Sequence, residues 1–135
     1  MDPKLNFFVL LETLEQEVKQ LINSLKNNCA VGWNQIPNNI LRKYTTFLIP
    51  QPVHTFNLCI LTGVFPTFLK KSEILPIYKG GHNKIISNYR SISILPSLSK
   101  ILEKMINIKF KNYLESNNIL SNNQFGFRQT TTDKS

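Results

Sequence analysis

The chain changes its hydrophobic period near residue 70, and that change limits its fold more than any other feature. Before it, Phe7, Leu11, Leu14, Val18, Leu21 and Leu25 recur at intervals of three and four, so residues 4–27 are expected to form an amphipathic helix. Asp2 and Pro3 stand where an N-cap and a first-turn residue belong. The same repeat suits a coiled-coil seam, although fewer than four heptads favour packing on the rest of the domain. After the change, Glu73-Ile-Leu-Pro-Ile-Tyr78 is short and β-prone, with Pro76 inside it. A proline is tolerated where a strand needs no ladder donor, which predicts an edge strand. Lys79-Gly-Gly81 follows as a flexible turn, polar residues run to Asn88, and Ser91–Leu95 offers the returning strand, so residues 73–95 read as a hairpin.

Helical spacing then returns. Residues 97–116 carry Leu98, Ile101, Leu102 and Met105 on one face, with Lys100, Lys104 and Lys111 along another. That basic stripe is either a solvated face or a track for backbone phosphates. Upstream, Asn27–Gln35 reads as a loop in which Gly32 permits a turn, and two helices are expected at 38–48 and 52–62. Pro50 and Pro52 bracket the second helix, Gly63 ends it, and Val64-Phe-Pro66 leads out extended. His54 has no acid or second ligand beside it in sequence, which favours a packing or surface role. Near the other end, Ser121-Asn-Asn-Gln124 has the form of a capping box and predicts a short helix. The fold class expected is α+β, mostly helical, with one small hairpin packed by helices.

Charge narrows the function. Lys and Arg exceed Asp and Glu by eight, and residues 70–135 hold eleven basic against four acidic groups. Clustered cations gain from phosphate neutralisation and counterion release, so a nucleic acid or nucleotide is the simplest partner. The acids are sparse in the form that phosphoryl-transfer metals need: the two aspartates are Asp2 and Asp133, while asparagine occurs sixteen times. No bound metal is therefore expected on this chain. Cys29 and Cys59 are too few for a disulfide framework and lack metal-ligand spacing, which suits a reducing, intracellular compartment, nuclear or cytoplasmic. No apolar run approaches the roughly 20 residues of a membrane span, so no membrane partner is expected. At 135 residues the chain fits one small domain.

Four segments, in order, carry a resemblance: Leu75-Pro-Ile-Tyr-Lys-Gly-Gly81; Asn88-Tyr-Arg-Ser-Ile-Ser-Ile-Leu-Pro-Ser-Leu-Ser-Lys-Ile-Leu-Glu-Lys104; Tyr113-Leu-Glu-Ser-Asn-Asn-Ile-Leu120; and Gln124-Phe-Gly-Phe-Arg128. Together they resemble the N-terminal, fingers part of reverse transcriptases of non-LTR retrotransposons of the LINE, jockey-like type. Gly32-Trp-Asn-Gln-Ile-Pro37 and Gly63-Val-Phe-Pro66 stand in the places of two further family segments. The resemblance implies a palm-and-fingers polymerase that copies RNA into DNA with Mg²⁺, working on an RNA template, a DNA primer and deoxynucleoside triphosphates. It divides the chain into an N-terminal helix, 1–29, and a fingers region, 30–135.

By position in the family pattern, Lys79 and Arg90 are the residues implied to reach the triphosphate of the incoming nucleotide. Gln124, Gly126 and Arg128 are implied to lie against the template, primer or nucleotide pocket. Gly80 and Gly81 would let a flap close over the phosphates. Two departures stand out: Ser91 replaces the family proline after Tyr-Arg, and Asn34 replaces an aspartate. The first catalytic aspartate segment and the Ala-Asp-Asp turn of the family are not found, since Asp133 lacks apolar flanks. The chain is accordingly expected to be a fragment that lacks its palm, binds no metal and is inactive alone. The alternatives are a stand-alone basic helical module that binds nucleic acid without chemistry, and an interaction piece using the heptads of residues 7–25.

Overall fold

The computed structural model describes residues 8–120. The elements are α1 (Glu15–Asn23), α2 (Asn38–Lys43), α3 (Thr45–Leu48), α4 (Pro50–Thr62), α5 (Thr67–Lys70), β1 (Glu73–Tyr78), β2 (Tyr89–Ile94) and α6 (Ser97–Ser116). The class is α+β, with about half of the described residues helical and one two-stranded antiparallel sheet. Val18 and Ile22 of α1, Leu41, Ile49, Phe56, Leu69, and Ile101, Leu102 and Met105 of α6 form the core. No helix among the described residues is long and apolar enough to cross a membrane.

The N-terminal helix is shorter than its period suggests. Residues 8–14 are not helical, and the reason is a long-range claim on Thr13. The Asn57 amide of α4 accepts from the Thr13 N–H at 2.7 Å and donates to the Thr13 carbonyl at 3.1 Å. Both backbone groups are then committed outside any helix, and Thr13 is buried. Glu17 closes the new helix start by accepting from the Thr13 hydroxyl at 2.7 Å and from the Leu14 N–H at 3.2 Å. Leu11 and Leu14 are left 68% and 67% exposed, so the heptad seam does not continue through them. Phe8 meets the rings of Phe110 and Tyr113 at 5.3 and 5.1 Å, fastening the extended segment to the end of α6. Residues 4–7 of the expected helix, with Asp2 and Pro3, lie outside the described residues.

The helix expected over 38–48 breaks at Tyr44 into α2 and α3. Thr45 is buried there, and its hydroxyl donates back to the Leu41 and Arg42 carbonyls at 2.7 and 2.9 Å, a bond that bends helices. α4 begins at Pro50, earlier than the expected residue 52, because prolines in a first turn give up N–H groups that have no helical acceptor. Gly63 ends α4 with φ +68° and its N–H on the Cys59 carbonyl. After Pro66 comes the short helix α5, which the sequence reading did not anticipate.

β1 has the expected bounds, while β2 runs from Tyr89 to Ile94 rather than from Ser91 to Leu95. Expected to be packed by helices, the hairpin meets the core only at its base. Ile94 is buried at 8% exposure, whereas every residue of β1 is exposed. α6 fills its expected span. Its first turn is held by buried serines: Ser97 donates to the Asn38 side chain and Ser99 to the Leu69 carbonyl, the latter at 2.6 Å.

Candidate nucleic-acid interface

The base of the hairpin is built by the two upstream segments. Gly32 lies so close to the β2–α6 junction that a Cβ on it would sit 2.7 Å from the Pro96 nitrogen. The expected turn is there, with the Gln35 N–H donating to the Gly32 carbonyl at 2.9 Å, but the φ of Gly32 is not positive, so what requires a glycine at this position is the close approach. Trp33 donates from Nε1 to the Phe68 carbonyl of α5 at 3.1 Å, and the Lys71 ammonium lies 5.5 Å from its ring centre. The segment 32–37 therefore wedges α5 against the start of α6.

Above that base the ladder fixes what the hairpin displays. The opposed pairs run Glu73↔Ile94, Ile74↔Ser93, Leu75↔Ile92, Pro76↔Ser91, Ile77↔Arg90 and Tyr78↔Tyr89. The Lys79 N–H continues the ladder to the Asn88 carbonyl at 2.8 Å. Side chains alternate across a strand, so Lys79 and Arg90 belong to one face, at diagonal neighbouring positions. Such positions lie about 7–8 Å apart, within reach of long side chains. The same face carries Leu75, Ile77 and Ile92 below the two cations, all exposed. Arg90 forms no ion pair among the described residues, and Lys79 reaches only the Ser87 carbonyl, at 3.3 Å.

The connecting loop is braced. The Tyr78 hydroxyl donates to the Gly81 carbonyl and the Tyr89 hydroxyl to the Asn83 carbonyl, the second at 2.7 Å, while the two rings lie 5.5 Å apart. Asn88 adds a bond from Nδ2 to the His82 carbonyl at 2.8 Å. Gly80 and Gly81 have φ of +132° and +94°, values that a side chain resists. A flap made by this loop would thus move as a tied unit, hinging outside residues 78–89.

Lys100, Lys104 and Lys111 are exposed along α6, and Lys104 reaches the Ser24 hydroxyl at 3.4 Å. Lys109, which the sequence reading did not single out, has a different task. It pairs with Glu17 at 3.4 Å and reaches the Glu12 carbonyl at 3.5 Å, tying α6 to the N-terminal segment. The Thr13 hydroxyl, first, and then the Leu14 N–H and Lys109 hold the Glu17 carboxyl below its ordinary range against a modest burial cost. Burial pushes the Cys59 thiol up, which makes it less reactive. His54 is exposed on α4. Gln124, Gly126 and Arg128, and the short helix expected at Ser121, lie outside the described residues. Among the described residues no group of three or more His, Cys, Asp or Glu is placed to hold a metal ion. What this surface offers a phosphate is Lys and Arg side chains.

No protein-family model matches the chain. It is 34% identical over 117 residues, 86% of its length, to an RNA-directed DNA polymerase from mobile element jockey of Drosophila funebris. It is 34% identical over 113 residues to a probable RNA-directed DNA polymerase from transposon X-element of Drosophila melanogaster, and 31% over 115 residues to one from transposon BS of the same fly. The chain spans 12–13% of the length of these relatives.

Proposed function

Because the chain resembles, along 83–86% of its length, part of the RNA-directed DNA polymerases of non-LTR mobile elements, we propose that it is a fingers segment of such a polymerase. In this reading the hairpin presents Lys79 and Arg90 to the triphosphate of an incoming deoxynucleotide. The observation that carries it is their placement on one face at neighbouring register positions, on a two-stranded arm that stands clear of the core. A triphosphate spreads its charge over several oxygens, and the leaving pyrophosphate gains charge as the bond breaks. Two cations converging from one face answer that charge. The Arg90 guanidinium can hold two oxygens in a fixed fork, while the Lys79 ammonium acts as a compact point charge.

The Tyr78–Tyr89 pair and the tied loop hold the backbone that carries both cations, which confines the ordering cost of binding to the two side chains. Gln124, Gly126 and Arg128 would add contacts to template, primer or pocket. The fingers region is proposed to span 30–135, and RNA template, DNA primer and a Mg²⁺-bearing palm belong to the longer enzyme. By itself the chain is proposed to bind without polymerising, a reading supported by its having Asp2 and Asp133 as its aspartates.

Calorimetric titration of the chain with a deoxynucleoside triphosphate and with the matching monophosphate tests the assignment. The triphosphate should bind more tightly, and Arg90→Lys should weaken it by about 1.5–3 kcal/mol, the scale of a charged hydrogen bond. Equal binding of the two nucleotides, or no effect of Arg90→Lys and Lys79→Ala together, would contradict it. A second reading has its own observation: the exposed lysine stripe of α6. If that stripe binds a nucleic-acid backbone, removing Lys100 and Lys111 together should flatten the salt dependence by roughly two phosphate contacts.

A further inference from the structure

β1 and β2 pair with each other and with no third strand among the described residues, so each keeps a free edge. Which backbone groups face outward follows from the register. The Lys79 N–H donates to the Asn88 carbonyl, while the Asn88 N–H turns to the Ile85 carbonyl, so Lys79↔Asn88 is a half-made bonded position, and bonded and non-bonded pairs alternate along an antiparallel ladder. Ile77↔Arg90, Leu75↔Ile92 and Glu73↔Ile94 therefore exchange bonds within the hairpin. Ile74, Pro76 and Tyr78 turn their backbone groups outward on β1, as do Tyr89, Ser91 and Ser93 on β2. The β1 row is interrupted at its centre by Pro76, which has no N–H to give. On β2, the Tyr89 N–H is already donated to the Ile86 carbonyl. Ser91 and Ser93 remain, exposed and each with an open N–H and carbonyl.

We propose that the β2 edge, from Tyr89 to Ser93, is a docking site for an extended acidic strand of a partner protein. The strand pairs antiparallel through the backbone of Ser91 and Ser93 and sets a carboxylate beside Arg90. Charge identifies this occupant. Residues 73–94 contain Lys79, Lys84 and Arg90 against the single acid Glu73, and Arg90 has no ionic partner among the described residues. A second copy of the chain is disfavoured on the same ground, since its basic hairpin would lie beside an equally basic one, each on a chain of net charge +8. The apolar face agrees. Ile92 neighbours Arg90 on the face that continues outward from buried Ile94, so an apolar residue beside Ile92 would cover surface that the chain leaves bare. The docked strand thus reads polar, apolar, polar, acidic, polar, with its backbone supplying affinity and its alternate side chains specificity. A third strand also gives the hairpin the support that two strands alone lack.

The test titrates the 135-residue chain, free of nucleotide and nucleic acid, with the blocked peptide acetyl-Thr-Ile-Thr-Glu-Thr-amide while backbone amide resonances are followed. The amides of Ser91 and Ser93 should move most. Replacing the peptide Glu by Lys should weaken binding by about fivefold or more, the scale of an exposed charge pair. Ser91→Pro should weaken it about tenfold, one backbone hydrogen bond, whereas Ser91→Ala should stay within about twofold. N-methylation of the central peptide Thr removes a bond at the same place without altering the protein and should cost as much as Ser91→Pro.

No shift at Ser91 and Ser93, equal binding of the Lys peptide, or indifference to both Ser91→Pro and N-methylation would overturn the proposal. So would a response of these amides to an oligonucleotide but not to the peptide, or a dimer abolished by Ser91→Pro. Arg90 meets a carboxylate or a phosphate, one at a time. With no nucleotide in the titration, failure here leaves the triphosphate reading standing.

Discussion

A methyl group on Gly32 would meet the backbone of Pro96 at 2.7 Å, closer than real side chains approach, and backbone cannot swing aside. Gly32→Ala should therefore cost about 1–3 kcal/mol, seen as a lower urea midpoint with unchanged slope. Gly63→Ala meets nothing within 4 Å, but its φ of +68° is left-handed, so about 1 kcal/mol is expected from the backbone alone. The sequence reading placed Gly32 at a turn and Gly63 at a helix end, and both features are present, but only for Gly63 is the need for a glycine a local one. Gly32 answers to a residue far along the chain, which no local pattern reports. Glu17 gives a pH test. Its folded carboxyl lies below the ordinary value of 4.5, so ionised Glu17 contributes stability above that pH and loses it as pH falls through the lowered folded value. Glu17→Gln should lower the melting temperature slightly near neutral pH, where the carboxylate is ionised, and change little at acid pH, so that the acid-side fall narrows. The effect should be small because 47% of the side chain is exposed. A variant that loses stability equally at all pH values would show that Glu17 acts only as a helix cap.

Among the elements, α6 and β1 were legible because their signals are local and redundant. In α6 the apolar face, the proline before it and the basic stripe all agree, and the helix fills its expected span. Leu102 is fully buried in that face, so Leu102→Ala should cost about 2–5 kcal/mol in denaturant unfolding. A loss under 1 kcal/mol would mean that the core around α6 is loosely packed. α1 misled for the opposite reason. Leu11 and Leu14 keep the helical period by coincidence, while Asn57 claims the backbone of Thr13 through two hydrogen bonds. Asn57→Leu should release that claim and shift hydrogen-exchange protection at residues 10–14, with α4 unchanged. Of the candidate site, the residue types at 79 and 90 were readable, and their shared face follows from the register. The bracing of their loop by Tyr78, Tyr89 and Asn88 was not, because tyrosines in a strand read equally well as packing residues.

For the molecule as a whole, the hairpin and several helices present apolar surface that the described residues do not cover. Phe47, Leu61, Ile74 and Ile86 are 83%, 70%, 68% and 89% exposed. The chain on its own should bind an apolar dye and unfold over a broad, low-temperature transition; a sharp transition at high temperature would contradict this. The central claim is that Lys79 and Arg90 make one triphosphate-binding face at the tip of the hairpin. Amide resonances followed during addition of a deoxynucleoside triphosphate test it most directly. The account predicts shifts centred on residues 77–81 and 88–92 that vanish in the Lys79→Ala, Arg90→Ala double variant. Shifts confined to α6, or shifts that survive the double variant, would contradict it.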